Sequence, residues 1–333
     1  MLLSTNEFTV SHYNNYKLSI QLIIDIWTKL KNSNLVAVRS IHHIKYIIDH
    51  AIQEYHHIAK YDQNKIDKLL DVNRRLEDKN LTEFLNMDVF KQILLSSGQS
   101  VVKCQMMEVN GKYKIKIGSL TIKLGSCDSV LTTYFHNPPD YVSMLLRHHS
   151  LMNYYSHWTI PSKVAEHLYE YGFKNDGFGS PLSSVFQKYQ DGKYCSLFNE
   201  DKMFGSVGRL DDITMSDYDG HWLLCPPHVD GIMTSVVRKI LREINSWKNE
   251  MKMYMLILPN WTDTEAHELL KDADHVLCSY VIKKQVMMAD GDKLKRNMKN
   301  RHGVRCYLLG RDDNNIIPRQ IMMNMVDIWL NIK

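Results

Sequence analysis

Three short runs in the second half of the chain are apolar at almost every position: Trp222-Leu223-Leu224-Cys225, Tyr254-Met255-Leu256-Ile257-Leu258 and Arg305-Cys306-Tyr307-Leu308-Leu309. A strand with one wet face alternates apolar and polar residues, so an uninterrupted apolar strand needs cover on both sides. Segments of helical period lie between these runs: Asp140 to Met152, a stretch from Pro161 through Val164, Leu168 and Tyr169, one after Pro181, and Gly231 to Trp247. Strands and helices that alternate in this way predict an α/β fold with a doubly wound sheet.

The first 97 residues read differently. Apolar positions at Tyr16, Ile20, Ile23, Ile24, Trp27 and Leu30 recur every three or four residues, and similar stripes fit Val38 to Tyr61 and Lys65 to Leu76. Thr82-Glu83-Phe84-Leu85 opens a further short helix. Near Gly98 the period becomes two. Val101 to Val109 and Lys112 to Ile117 flank Asn110-Gly111, a strong hairpin signal, and Leu120 to Leu124 fits another strand. The expected division is a helical N-terminal domain over 1–97 and an α/β domain over 98–333.

Hydrophobic residues make up 44% of the 333 and charged residues 23%, which excludes a disordered chain. No apolar stretch is long enough to span a bilayer, so no membrane partner is expected. Met1-Leu2-Leu3 runs at once into Ser4-Thr5-Asn6-Glu7, and the six cysteines have no paired spacing. No secretory leader is expected, and a reducing intracellular compartment, nucleus or cytoplasm, is the expected setting. The net charge of +4 is a weak tilt towards anionic partners.

The segment with most chemistry is Trp222-Leu223-Leu224-Cys225-Pro226-Pro227-His228. Doubly wound sheets bind ligands beyond the carboxyl ends of their strands, where this Pro-Pro turn falls. A base amine is a poor nucleophile because its lone pair is delocalised into the ring. An oxygen at the first position of such a turn and the carbonyl of the first proline can accept the two amine hydrogens. An aromatic ring at the fourth position can stack on the base. By itself a Pro-Pro sequence after a strand also reads as a plain turn.

Four landmarks in order carry a resemblance over roughly residues 100–310. Phe178-Gly179-Ser180-Pro181-Leu182-Ser183 is similar to Phe-Ala-Ser-Pro-Leu-Asn, and Phe204-Gly205-Ser206-Val207-Gly208 to Phe-Gly-Ser-Arg-Gly, with Asp212 in the place of a following aspartate. Cys225-Pro226-Pro227-His228 occupies the position of Asn-Pro-Pro-Phe, and Leu256-Ile257-Leu258-Pro259-Asn260-Trp261 resembles a strand ending in Ile-Pro-Glu-Trp. These are motifs of the phosphorylated-CTD-interacting-factor family, the cap-specific adenosine N6-methyltransferases. The resemblance implies a Rossmann-like methyltransferase core with a helical domain attached. The WW domain of the animal members has no counterpart in this reading.

The resemblance further implies that S-adenosylmethionine is the cofactor. It would be held by Asp176, Phe178, Gly179, Ser180, Pro181 and Ser183 on one loop and by Phe204, Gly205, Ser206, Gly208 and Asp212 on the next. Cys225, Pro226, Pro227 and His228 would form the catalytic turn, and capped RNA would be the partner. Four positions depart from the family pattern: Cys225 for Asn, His228 for Phe, Ser183 for Asn and Val207 for Arg. A thiol is a weak acceptor and imidazole a smaller ring than phenyl. An inactive methyltransferase fold that binds RNA or a protein partner is therefore the second expectation.

Arg147 falls near a family Arg-Tyr pair and reads either as a cap or phosphate contact or as a solvated helix residue. A late basic run, Lys283, Lys284, Lys293, Lys295, Arg296, Lys299, Arg301 and Arg305, contains only Asp290 and Asp292 as acids. It is expected as a basic loop or helix between two strands. By default such a run is a solvated face; with an RNA substrate, Lys293, Lys295, Arg296, Lys299 and Arg301 become phosphate contacts. Two decoys are set aside. Asn137-Pro138-Pro139-Asp140 reads as a helix start, and His221, Cys225 and His228 lack the spacing of paired metal ligands, so no metal is expected.

Overall fold

The computed structural model describes residues 5–10, 102–109, 112–117, 120–123, 140, 141, 144, 148, 158–228, 230–246, 252–261, 263–283, 286–290, 296–300, 303–311 and 316–332. The chain divides into two compact units, Met1–Asn153 and Tyr154–Lys333. The helices expected over 15–97 and the boundary expected at 97/98 lie outside the described residues, as do Asn137 to Pro139 and Arg147.

Within the first unit, β1 (Thr5–Val10), β2 (Val102–Val109), β3 (Lys112–Ile117) and β4 (Leu120–Lys123) form an antiparallel sheet in the order β1-β2-β3-β4. Val109 pairs with Lys112, so β2 and β3 are the antiparallel pair expected of this stretch, while residues 110 and 111 lie outside the described residues. Asp140, Tyr141, Met144 and His148 are helical, and the last three are buried.

The second unit holds β5 (Trp158–Thr159), α1 (Ser162–Glu170), β6 (Phe173–Asp176), β7 (Lys193–Tyr194), β8 (His221–Leu224), α2 (Asp230–Ser246), β9 (Met253–Pro259) and α3 (Glu265–Lys271). It continues with β10 (Val276–Ile282), β11 (Val286–Asp290), β12 (Arg296–Asn300), β13 (Val304–Gly310) and α4 (Ile316–Leu330). Pro161 caps α1: its fixed φ of −61° suits a helix start, and its carbonyl accepts from Val164 and Ala165. Gly172, at φ 84°, turns the chain from α1 into β6.

Six strands form one mixed sheet in the order β10-β13-β9-β8-β6-β7. β7, β6, β8 and β9 are parallel; β13 runs against both β9 and β10. Side chains alternate between two cores. Leu223, Met255, Ile257, Cys306 and Leu308 join Val164 and Leu168 of α1 and Ile321, Met325 and Trp329 of α4. Trp222, Leu224, Tyr254, Leu256, Leu258, Tyr307 and Leu309 join Met233, Val237, Ile240 and Ile244 of α2 and Ala266 and Leu270 of α3. The apolar runs of the sequence are thus strands buried on both faces. Two expectations need correction. The stretch after Pro181 is a series of turns, not a helix, and of the described basic run only Lys283 lies outside regular structure, while Arg296, Lys299 and Arg305 lie in strands. Arg296 and Lys299 belong to β12, which pairs with β11 in a separate sheet ordered β12-β11-β5.

Among the described residues no helix is long and apolar enough to cross a membrane.

Candidate functional site

β6 is the point where the chain reverses its direction of travel across the sheet. β7 is laid down on one side of it, and β8 and then β9 on the other. Loops leaving neighbouring strands at such a switch diverge to opposite faces and open a crevice beyond their carboxyl ends.

Asp176 ends β6, is 2% exposed, and staples the loop that follows. Its carboxylate accepts from the Phe178 amide at 3.1 Å and the Val185 amide at 3.3 Å. Ser180 Oγ accepts from the amides of Leu182 and Ser183 and lies 2.8 Å from Ser183 Oγ. Two side chains therefore take four backbone donors, which holds residues 178–185 in turns. Gly177 donates to the Leu223 carbonyl at 2.9 Å, and a Cβ there would stand 2.2 Å from Leu224 Cδ2. Only glycine lets this loop cross so close to β8.

Phe204 to Gly208 line up beside β7. Tyr194 bridges to Ser206, Val207 donates to the Tyr194 carbonyl, and Ser196 donates to the Gly208 carbonyl. Tyr194 Oη donates to the Phe204 carbonyl at 2.7 Å. A Cβ on Gly179 would meet Tyr194 Cβ at 2.9 Å, so the first loop rests on the strand that carries the second. Phe178, Gly179, Ser180, Pro181, Ser183, Phe204, Gly205, Ser206 and Gly208 are in this way gathered at the carboxyl ends of β6 and β7. Asp212 stands apart, exposed in a short 3-10 turn over Leu210–Asp212.

Cys225 and Pro226 follow β8 directly. Burial pushes the Cys225 thiol up to about 12, and the carboxylate of Asp176 adds to the shift. Cys225 is thus a protonated thiol at neutral pH, a poor nucleophile and a weak acceptor. Pro226 is buried; Pro227 and His228 are half-buried. The His228 ring meets Trp261 edge-on at 5.8 Å, which joins the turn after β8 to the turn after β9. His221 opens β8 and Cys225 follows its end, a separation of about 13 Å along the strand. Among the described residues no three His, Cys, Asp or Glu side chains could hold a metal ion. Lys293, Lys295 and Arg301 lie outside the described residues.

Sequence reasoning missed Ser196 and Asp201. Asp201 is fully buried and accepts from Ser196 Oγ at 2.5 Å just beyond β7. The signal was there in principle, an acid a few residues past a second parallel strand, but β7 is only two residues long.

Burial also raises Asp176, to about 6 from 3.8, against the pull of the Phe178 and Val185 amides. At the other end of the sheet His221 accepts from the Met253 amide, and burial, with nearby Lys252, lowers it from 6.5 to about 4. Between pH 6 and 4 the folded chain binds more protons than the unfolded one at Asp176, so acid stabilises through that group. At His221 the folded chain binds fewer between pH 6.5 and 4, so acid destabilises. The two offset each other in the wild type. Asp176→Asn should therefore lose melting temperature faster than the wild type between pH 6.5 and 4. Parallel curves of Tm against pH would refute the offset.

Sheet, helices and gathered loops define the class: an α/β protein with a mixed six-stranded sheet, compatible with a Rossmann-like fold. The family model described as "Phosphorylated CTD interacting factor 1 WW domain" matches residues 128–290, a span that holds α1 to α3 and β5 to β11. Over that span the chain resembles the phosphorylated-CTD-interacting-factor family. No curated protein matches it.

Proposed function

We propose that the chain is an S-adenosylmethionine-dependent methyltransferase-like protein whose acceptor is the N6 amine of 2′-O-methyladenosine at the capped 5′ end of messenger RNA. One observation carries the reading: the loop Asp176–Ser183 and the turn Cys225–His228 leave adjacent parallel strands, β6 and β8, at the switch point of the sheet. The family-model match over residues 128–290 supports it.

In this reading the donor lies along Asp176, Phe178 to Ser183 and Phe204 to Gly208, with Asp212 at the rim. These residues suit a nucleoside-bearing ligand. They are mostly small, and the loop ends on Ser184, whose buried hydroxyl has no hydrogen-bond partner and would gain one from a polar ligand. When bound, the donor supplies an electrophilic methyl group on a sulfonium. The Pro226 carbonyl accepts one amine hydrogen and turns the lone pair out of the ring plane. Cys225 gives the second contact only weakly, and His228 and Trp261 offer ring surface to the base. Arg147, Lys293, Lys295, Arg296, Lys299 and Arg301 would meet RNA phosphates.

The protonated Cys225 thiol favours a second reading, a catalytically inactive fold that binds RNA or a protein partner. The family's name, which refers to a phosphorylated CTD, points to such a partner. Calorimetry separates the two. The enzyme reading expects one-to-one heat of binding with S-adenosylmethionine and with its demethylated product. No heat with either would leave only the binding module.

A further inference from the structure

Arg305 stands opposite Leu258 where β13 pairs with β9, on the face that carries α3. Its Nη1 donates to Tyr307 Oη at 3.3 Å, and its guanidinium lies 5.9 Å from the centre of that ring. Tyr307 Oη is 2.7 Å from His267 Nδ1, and His267 Nε2 is 2.9 Å from the Pro259 carbonyl. One placement of hydrogens satisfies the whole row. The Pro259 carbonyl can only accept, so His267 carries its hydrogen on Nε2. Nδ1 then accepts the tyrosine O–H, and the tyrosine oxygen accepts from the arginine. In this arrangement Tyr307 and His267 set the direction of the Arg305 guanidinium.

A half-buried guanidinium normally has a carboxylate beside it, because desolvating it alone is costly. Arg305 makes no ion pair among the described residues. Its Nε is buried without a hydrogen-bond partner, and so is Asn260 Oδ1 at the end of β9, where the Asn260 amide donates to Gly303. The row therefore fixes the direction of a cation that no carboxylate among the described residues pairs with. The fork stands beside the Pro259–Trp261 turn, which touches His228 of the proposed acceptor site.

The geometry points to Arg305 as the anchor for a phosphate of the RNA strand next to the adenosine being read, held in position by Tyr307 and His267. This assignment rests on the RNA reading above and gives it a specific contact. Arginine suits the task because its planar fork matches two phosphate oxygens at once.

The test is a fluorescence titration of capped single-stranded RNA beginning with 2′-O-methyladenosine, repeated over a range of salt. Arg305→Gln should weaken binding about tenfold at low salt. The slope of log K against log salt should become shallower by about 0.7, the loss of one phosphate contact on a single strand. Heat of donor binding and the melting temperature should stay as in the wild type. Should the glutamine variant not fold, Arg305→Met, which keeps an apolar stem against Tyr307, carries the same measurement. Tyr307→Phe keeps the charge and should weaken binding a few-fold with the slope unchanged. A wild-type slope in the charge-removing variant overturns the assignment. Wild-type protein that binds no RNA sinks the assignment together with the substrate reading, and the two failures are told apart by that control.

Discussion

Replacing Cys225 by Asn together with His228 by Phe raises methyl transfer onto capped RNA beginning with 2′-O-methyladenosine by ten- to a hundredfold. The physical reason lies in what the amine must feel. Its lone pair becomes available only while both hydrogens are held by acceptors in the plane of the turn. Pro226 is buried and its ring fixes φ, so in the proposed reading its carbonyl is a rigid first acceptor. The second falls to a thiol that burial keeps protonated. An amide oxygen restores about 1–3 kcal/mol of charge stabilisation, which is the stated range in rate. Asparagine is close to cysteine in volume, so the packing of β8 against Asp176 and Cys306 survives the exchange. Phenylalanine widens the ring that faces the base and keeps the edge contact with Trp261. Transfer from a radiolabelled donor is the measurement. Unchanged or lower transfer would mean that these two positions serve another acceptor.

The second large effect concerns the fold. Trp222→Ala should lower unfolding free energy by about 3–5 kcal/mol, a large share of what a domain of this size has to lose. Trp222 is fully buried on β8, meets the Tyr218 ring edge-on at 5.8 Å, and its indole N–H donates to the Met215 carbonyl at 3.0 Å. Met215 is itself held from the other side, where its amide donates to both carboxylate oxygens of Glu243 on α2. Glu243 is in turn paired with Lys239 at 2.9 Å. Alanine leaves a cavity and an orphaned carbonyl in the same place. Trp222→Phe keeps most of the area but not the donor, and should cost about 1–2 kcal/mol. Urea unfolding gives both numbers. A loss under about 1 kcal/mol for the alanine variant would show that the segment 210–218 collapses freely onto α2.

The elements that sequence alone locates are those whose pattern is decided by burial. β8, β9 and β13 are apolar on two faces because helices cover both, and the chain writes that directly. α2 announces itself through Met233, Val236, Val237, Ile240 and Ile244, all buried at helical spacing. The pairing of β2 with β3 is equally plain, since Asn-Gly between two alternating runs is a strong hairpin signal.

Where side chains capture backbone donors, pattern misleads. The segment after Pro181 opens as a helix would, with Ser180 Oγ accepting from the Leu182 and Ser183 amides, but Asp176 takes the Val185 amide that the next turn needs. β10 escaped notice because, at the margin of the sheet, nearly all its residues are half-buried and no clean alternation appears. The basic run was read by charge, and charge says nothing about the pairing of β11 with β12 and β5 that decides its shape. For the candidate site, the turn after β8 and the glycine loops were legible from residue order. Ser196 and Asp201 were not, because β7 is too short to show a strand pattern, and the row from Pro259 to Arg305 was not, because it depends on elements far apart in sequence coming side by side.

The place of β13 has a consequence for the order in which the chain can assemble. It follows β9 and β10 along the chain, yet it fills the gap between them. Until residues 304–310 emerge, β9 offers a row of unpaired amides and carbonyls, and β10 has no neighbour in this sheet. A nascent or truncated chain lacking that segment carries two adhesive borders, and would depend on chaperones until the segment emerges.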